Sequence, residues 1–87
     1  MLQGRRIIVT GASEGIGRAL ALRLAARGAR LALAARDRER LETLAQECRA
    51  RGADTRALPT DVTNQQDCEW LVDETVKAFG GIDVVVH

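Results

Sequence analysis

Three glycines near the start of the chain have a spacing that suits the binding of an anion. Gly11, Gly15 and Gly17 follow a short β-branched run and open a segment rich in Ala and Leu. A strand that turns directly into a helix presents free backbone N–H groups, and the positive end of the helix dipole, to a phosphate. Gly11 permits the sharp exit from the strand, Gly15 leaves room for a pyrophosphate, and Gly17 lets the helix lie close to the sheet. Ser13 can offer its hydroxyl to a phosphate or a ribose.

Strand and helix patterns alternate along the whole chain and can position this turn. Strands are predicted over residues 6–10, 30–35, 55–59 and 82–86, with helices between them and the first helix over 16–27. The order β-α-β-α-β-α-β implies parallel strands with right-handed crossovers. We predict an α/β fold, a Rossmann-type doubly wound parallel sheet in strand order 3-2-1-4 that stops after the fourth strand. The first two helices should cover one face and the third the other.

Sequence periodicity and capping residues predict the faces and ends of the helices. The residues expected to face the core are Ile16, Ala19, Leu20 and Leu24 in the first helix, Leu41, Leu44, Ala45 and Cys48 in the second, and Cys68, Leu71, Val72, Thr75, Val76 and Phe79 in the third. Asp37 is the expected N-cap of the second helix, and residues 63–66 match a capping box before the third. Gly28, Gly52 and Gly80 are expected to end the helices.

The glycine turn also resembles a family motif. Thr10, Gly11, Gly15 and Gly17 match in full the TGxxxGxG pattern of the short-chain dehydrogenase/reductase family. Asp61-Val62 resembles the family's Asp-Val pair, whose carboxylate contacts the adenine amino group. Residues 81–87 resemble the run into the Asn-Asn-Ala-Gly motif, with His87 at the first Asn. The resemblance covers the whole chain and implies a cofactor-binding set composed of Gly11, Ser13, Glu14, Gly15, Ile16, Gly17, Arg36, Asp61 and Val62.

The end of the second predicted strand bears on which nicotinamide cofactor is bound. An acidic residue there holds the ribose 2′-OH of NAD, whereas an Arg nearby accommodates the 2′-phosphate of NADP. This chain has Ala35 followed by Arg36, which can bind a phosphate through two nitrogens, and Arg38 can assist. We therefore predict NADP, with NAD less favoured. Against this, many NADP-preferring relatives have a basic residue where Glu14 stands, and Arg36 could instead be a solvated loop residue.

The catalytic residues of the family are not matched in this chain. The family uses a Ser, a Tyr and a Lys, the last two in a YxxxK pair, but the chain has no Tyr and a single Lys, Lys77. Ser13 is assigned to the phosphate turn, Lys77 to a solvated helix face and His87 to a strand end beneath the cofactor, so no residue is assigned a catalytic role.

The chain as a whole is therefore predicted to be the N-terminal NAD(P)-binding half-domain, residues 1–87, of an NADP(H)-dependent oxidoreductase of the carbonyl reductase or alcohol dehydrogenase type. Alone it is expected to be inactive. The resemblance implies that the pocket for a small-molecule substrate and the contacts of a homo-oligomer lie in a missing C-terminal part. The alternative is a non-catalytic nucleotide-binding module or an inactive truncated product.

Composition and charge argue against several other classes of function. A net charge of +1 gives no basic face for nucleic acid. No apolar run approaches the roughly 20 residues that span a bilayer, and no secretory signal pattern is present, so a cytoplasmic protein is expected. Cys48 and Cys68 form no CxxC pair, and we expect them to be buried free thiols on opposite faces of the sheet, with no metal site.

Overall fold

The computed structural model of the protein describes residues 2–87. The elements in chain order are β1 (Arg6–Thr10), α1 (Gly15–Ala26), β2 (Arg30–Ala35), α2 (Arg38–Ala50), β3 (Thr55–Pro59), α3 (Gln65–Phe79) and β4 (Val84–Val86). The four strands are parallel, and their order in the sheet is β3-β2-β1-β4. The predicted Rossmann-type sheet and its strand order are therefore confirmed.

Strand residues alternate between two cores, one on each face of the sheet. On the first face, Ile7 and Val9 of β1 and Leu31 and Leu33 of β2 pack with the buried sides of α1 and α2. On the second face, Ile8, Ala32 and Ala34 pack with Leu71 and Phe79 of α3. The two-residue period of a strand produces this division. It confirms that the first two helices lie on one face and the third on the other.

The buried side of α1 differs from the predicted one. Ala21 and Ala25 are fully buried together with Leu24, whereas Ile16 is 87% exposed and Ala19 is also exposed. The prediction for Ile16 and Ala19 is therefore wrong. Because α1 is apolar on almost every side, its period alone could not select a face. The close approach of the helix start to the preceding turn selects it instead, as the glycine geometry below shows.

The start of α3 lies one residue later than the predicted capping box. Asn64 is the N-cap, and its Oδ1 accepts a hydrogen bond from the backbone N–H of Asp67 at 3.1 Å. The Thr63 hydroxyl instead donates to the Asp61 carboxylate at 2.6 Å, so it does not cap the helix. The expected Thr63–Gln66 pairing is replaced by Asn64 and Asp67.

The apolar stripe of α3 is covered only along one side. Leu71, Thr75 and Phe79 are buried, while Val72 and Val76 each remain 44% exposed. A stripe of this width spans more of the helix circumference than one sheet face can cover. The expectation that all its members face the core is therefore wrong for the two valines.

The cysteines lie on opposite faces, as predicted, and both are free. Cys48 is buried among the α1 and α2 residues, where desolvation raises the pKa of its thiol. Cys68 is only half-buried, and its Sγ donates to the carbonyl of Val62 at 3.4 Å, so the expectation of a buried thiol holds for Cys48 alone.

Across residues 2–87 no helix combines the length and apolarity required to cross a membrane.

The last strand, β4, begins two residues later than predicted, because Asp83 makes side-chain bonds at its start. The Asp83 carboxylate accepts from the backbone N–H of Arg6 at 2.9 Å and from the Arg6 guanidinium at 3.0 Å through two nitrogens. This bidentate ion pair joins the first strand to the last. The Arg6 guanidinium and its N–H bond hold the pKa of Asp83 well below its usual range.

Candidate functional site

The turn between β1 and α1 places its glycines in three different environments. Gly11 and Gly15 both have φ of 62°, in the left-handed region that favours glycine, and both face open space. Gly17 is within the helix, and a Cβ atom there would overlap the carbonyl oxygen of Gly11. The helix start therefore packs directly on the backbone of the turn, and this contact sets which side of α1 meets the sheet.

The N-terminus of α1 leaves its backbone donors available to a ligand. Its N-cap, Glu14, makes no side-chain capping bond, and no acidic residue occupies the first turn. By contrast, the side chains of Asp37 and Asn64 accept bonds from the first turns of α2 and α3. Uncapped N–H groups beside two open glycines fit a pyrophosphate, which would supply the missing acceptors.

A cleft of about 280 Å³ opens between this turn and the ends of β2 and β3. Its lining consists of Gly11, Ser13, Glu14, Ala35, Arg36, Asp37, Thr60 and Val62. The structure thus brings together residues from three separate parts of the sequence at the carboxyl edge of the parallel strands. Ligands of open α/β sheets bind at this edge, beside the point where the strand order reverses.

Two residues of the cleft lining, Ala35 and Thr60, lie at the carboxyl ends of β2 and β3. Thr60, which sequence reasoning missed, is 2% exposed and donates its backbone N–H to the carbonyl of Ala35 at 2.9 Å. It directly follows β3, and that position was the available signal. Ala35 has no side-chain charge, so the end of β2 presents no carboxylate at this point of the cleft.

Asp61 lies beside the cleft, in an adjoining hollow that it shares with Arg36 and Thr60. Its Oδ1 accepts from the backbone N–H of Thr63 at 2.9 Å and from the Thr63 hydroxyl at 2.6 Å. These bonds, followed by the charge of Arg36 at 3.7 Å, lower the pKa of Asp61. The carboxylate is therefore ionised near neutral pH and held in one orientation.

The other predicted residues lie around the turn rather than in the cleft lining. Gly15 and Gly17 belong to the first turn of α1. Ile16, the residue between them, has an exposed side chain. At the ends of β1 and β4, Thr10 Oγ1 lies 2.9 Å from Nδ1 of His87. This contact places His87 at a strand end next to the turn, and Lys77 is exposed on α3 with an ion pair to Glu74 at 3.3 Å.

Arginines and carboxylates alternate along the rim of the cleft. The Arg36 side chain is 78% exposed, and its contact with Asp61 is long. Glu14 Oε2 lies 3.1 Å from Nη1 of Arg40, a residue that sequence reasoning did not assign to the site. The two are far apart in the sequence and lie at the starts of different helices, so no local pattern pointed to the contact.

Comparisons with known proteins agree with this fold. The sequence model of the short chain dehydrogenase family matches residues 5–87. The chain is 42% identical over 85 residues to the protein named 11-beta-hydroxysteroid dehydrogenase-like 2 of Arabidopsis thaliana, covering 97% of this chain and 28% of that protein.

Two solved structures share the fold over nearly the whole chain. A short-chain type dehydrogenase/reductase from Mycobacterium marinum has a TM-score of 0.91 at 37% identity and is covered to 34% of its length. A short chain dehydrogenase/reductase from Burkholderia phymatum, solved in complex with NAD, has a TM-score of 0.93 at 34% identity and is covered to 30%. The chain thus spans about a third or less of these relatives, and it belongs to the short-chain dehydrogenase/reductase family.

Proposed function

We propose that this chain binds NADP(H) in the cleft at the carboxyl edge of the sheet. The observation that carries the proposal is the uncapped start of α1, which lies beside the cleft that Gly11 and Arg36 line. The α1 start and Gly11–Gly15 would hold the pyrophosphate, with Ser13 beside it. Asp61 and Val62 would border the adenine, and Arg36 would bind the 2′-phosphate.

The preference for NADP over NAD is inferred from the end of β2. Ala35 offers no carboxylate to accept hydrogen bonds from a ribose 2′-OH, and the exposed Arg36 guanidinium has donors available for a phosphate. We propose NADP(H) as the cofactor, although the Burkholderia phymatum relative was solved with NAD. The bound cofactor would supply or accept the hydride, between itself and a carbonyl or alcohol.

The preference can be tested by measuring dissociation constants for NADPH and NADH with wild type and with Arg36→Ala. We expect wild type to bind NADPH about tenfold more tightly than NADH, because a charge-assisted bond to the phosphate is lost without the 2′ group. Arg36→Ala should abolish most of this difference, while Arg23→Ala, at an exposed site near the far end of α1, should keep it. Equal affinities for the two cofactors in both wild type and Arg36→Ala would contradict the proposal.

We further propose that the chain supplies only the adenosine- and pyrophosphate-binding half of the oxidoreductase. It has no Tyr, and its one Lys, Lys77, is exposed on α3, pairs with Glu74 and does not line the cleft. The purified 87-residue chain should therefore bind NADPH yet give no NADPH-dependent reduction of carbonyl compounds in a spectrophotometric assay. Measurable turnover that depends on the chain would contradict this assignment.

A second candidate, favoured by the same lack of Tyr, is a nucleotide-binding module without chemistry. The codons that follow His87 distinguish the two. A reading frame that continues into Asn-Ala-Gly, and later into a Ser and a YxxxK pair, supports the oxidoreductase, whereas a stop codon supports the module. For the oxidoreductase we propose a small-molecule substrate and a cytoplasmic location. We also propose a homo-oligomer whose contacts lie in the part of the relatives' length that this chain does not span.

A further inference from the structure

We propose that Arg40 is a specificity-determining residue that allows the cleft to accept a 2′-phosphate. The inference rests on the proposed NADP site and adds to it a residue from the first turn of α2. Glu14 and Asp37 line the same cleft as Arg36, which would hold the phosphate. Each carboxylate, if left unpaired, would repel a group that carries nearly two negative charges.

Arg36 cannot offset these charges by itself. Its guanidinium already lies 3.7 Å from the Asp61 carboxylate, so part of its charge is shared. The cleft rim therefore needs a second cation close to Glu14 and Asp37 if it is to favour a phosphate over a hydroxyl.

Arg40 contacts both of the unfavourable carboxylates. Its Nη1 lies 3.1 Å from Oε2 of Glu14, and its Nε lies 3.5 Å from Oδ2 of Asp37. Its backbone N–H also donates to Oδ1 of Asp37 at 3.1 Å, which is the N-capping bond of α2. The cap thus fixes the residue at the helix start, and one guanidinium offsets part of the charge of two carboxylates.

The position of Arg40 also leaves it accessible to a ligand. Arg40 and Ser13 line a second hollow of about 400 Å³, and Ser13 and Glu14 line the nucleotide cleft. The Glu14–Arg40 ion pair therefore lies at the boundary between the two hollows. The Arg40 side chain is 62% exposed, so guanidinium N–H groups beyond the two engaged in ion pairs remain available to a phosphate.

The test compares two small nucleotides that differ only in the 2′-phosphate, adenosine 2′,5′-bisphosphate and 5′-AMP, by calorimetric titration at pH 8 and low salt. Arg40→Gln should weaken binding of the bisphosphate by about fivefold and change that of 5′-AMP by less than about twofold, as expected for an exposed charge. Glu14→Gln should strengthen binding of the bisphosphate. In the Glu14→Gln background, Arg40→Gln should weaken binding of the bisphosphate by a smaller factor than in wild type. One of the two carboxylates that Arg40 contacts has already been replaced there by a neutral amide.

Matched variants separate this role from a general effect of charge or folding. Arg51→Gln removes the same charge from an exposed position at the far end of α2 and should change binding of the bisphosphate much less. Arg40→Lys keeps the charge and should restore part of the loss in affinity. Thermal melts identify any variant that is unfolded.

The outcomes also separate the inference from the proposed function. If wild type binds adenosine 2′,5′-bisphosphate no better than 5′-AMP, the NADP preference and the role of Arg40 both fail. If wild type prefers the bisphosphate but Arg40→Gln keeps that preference, only the role of Arg40 fails. An equal loss of affinity for the bisphosphate in Arg51→Gln and Arg40→Gln would also overturn it. So would an equal effect of Arg40→Gln on that affinity in the wild-type and Glu14→Gln backgrounds.

Discussion

Gly15 and Gly17 are two residues apart, yet a side chain would meet a different obstacle at each position. At Gly17 a Cβ atom would collide with the backbone carbonyl of Gly11, which cannot rotate away. At Gly15 the surrounding space is open, and the obstacle is the φ of 62°. Gly17 therefore serves the packing of α1, while Gly15 shapes the surface of the turn that faces a ligand.

Alanine at these two positions should consequently have different effects. Gly17→Ala is expected to lower the free energy of unfolding by about 1–3 kcal/mol, the range for an overpacked site, as measured by urea denaturation. Gly15→Ala should cost about 1–2 kcal/mol for its left-handed backbone and should also weaken NADP⁺ binding, because its methyl group enters the open side of the turn. A Gly17→Ala protein with the wild-type free energy of unfolding, or a Gly15→Ala protein with unchanged NADP⁺ affinity, would contradict this division.

At this scale, the backbone conformation of the turn could be predicted from the sequence, whereas contacts between distant charged residues could not. Gly11 and Gly15 could be assigned because a turn at this point needs left-handed residues. Arg38 appeared to be the natural assistant to Arg36, but Arg40 is the residue that reaches Glu14. That contact depends on how α1 and α2 lie together on one face, which no local spacing encodes.

The N-cap of α3 is a feature at the scale of the element. Asn64 accepts the Asp67 N–H, while the carboxylate of Asp67 accepts the backbone N–H of Asp61 at 2.9 Å. One short segment thus both starts the helix and holds the loop that carries Asp61. The beginning of α3 is therefore linked to the shape of the loop beside the cleft.

Asn64→Ala should lower the free energy of unfolding by about 1 kcal/mol, the usual cost of losing a side-chain cap, whereas Gln66→Ala should have little effect. The pair also discriminates between the observed cap and the capping box expected from residues 63–66. Chemical denaturation of both variants beside wild type provides the measurement. A larger loss for Gln66→Ala than for Asn64→Ala would indicate that the capping box, and not Asn64, begins the helix.

The elements themselves were largely predictable, because each has a local signal. Gly28, Gly52 and Gly80 end the three helices with φ between 80° and 92°, a conformation that side chains disfavour, so their positions could be read from glycine alone. The buried side of α1 could not be predicted in this way. Its apolar residues surround the helix, and a contact between Gly17 and the turn decides the orientation.

At the scale of the whole molecule, the Arg6–Asp83 ion pair connects the beginning of the chain to the start of its last strand. The sequence predicted the strand order, since crossover rules leave few alternatives. It could not predict this pair, because the two residues become neighbours only when β4 is placed beside β1. The pair lies directly before the residues of β1 and β4 that pair with each other.

The pH dependence of stability should report this ion pair. The pKa of Asp83 is lower in the folded protein than in the unfolded chain, where it is about 3.9, so its ionised form stabilises the fold above that pH. The stabilisation is lost as the pH falls from about 4 through the folded value. The urea midpoint of wild type should therefore be higher than that of Asp83→Asn at pH 7, and this difference should narrow at about pH 2.5. Asp73→Asn, at an exposed site on α3, should show no such narrowing, and a constant difference for Asp83→Asn would contradict the expectation.

The position of β1 within the sheet also determines how the fold should open. β1 pairs with β2 along its whole length and with β4 on its other side, and Ile7, Ile8 and Val9 are almost completely buried. β4 has one neighbour and three residues. Among the strands, the backbone amides of β4 should therefore exchange with deuterium first and those of β1 last. Because the glycine turn continues directly from β1, we expect this turn to keep its shape during the partial openings that release β4.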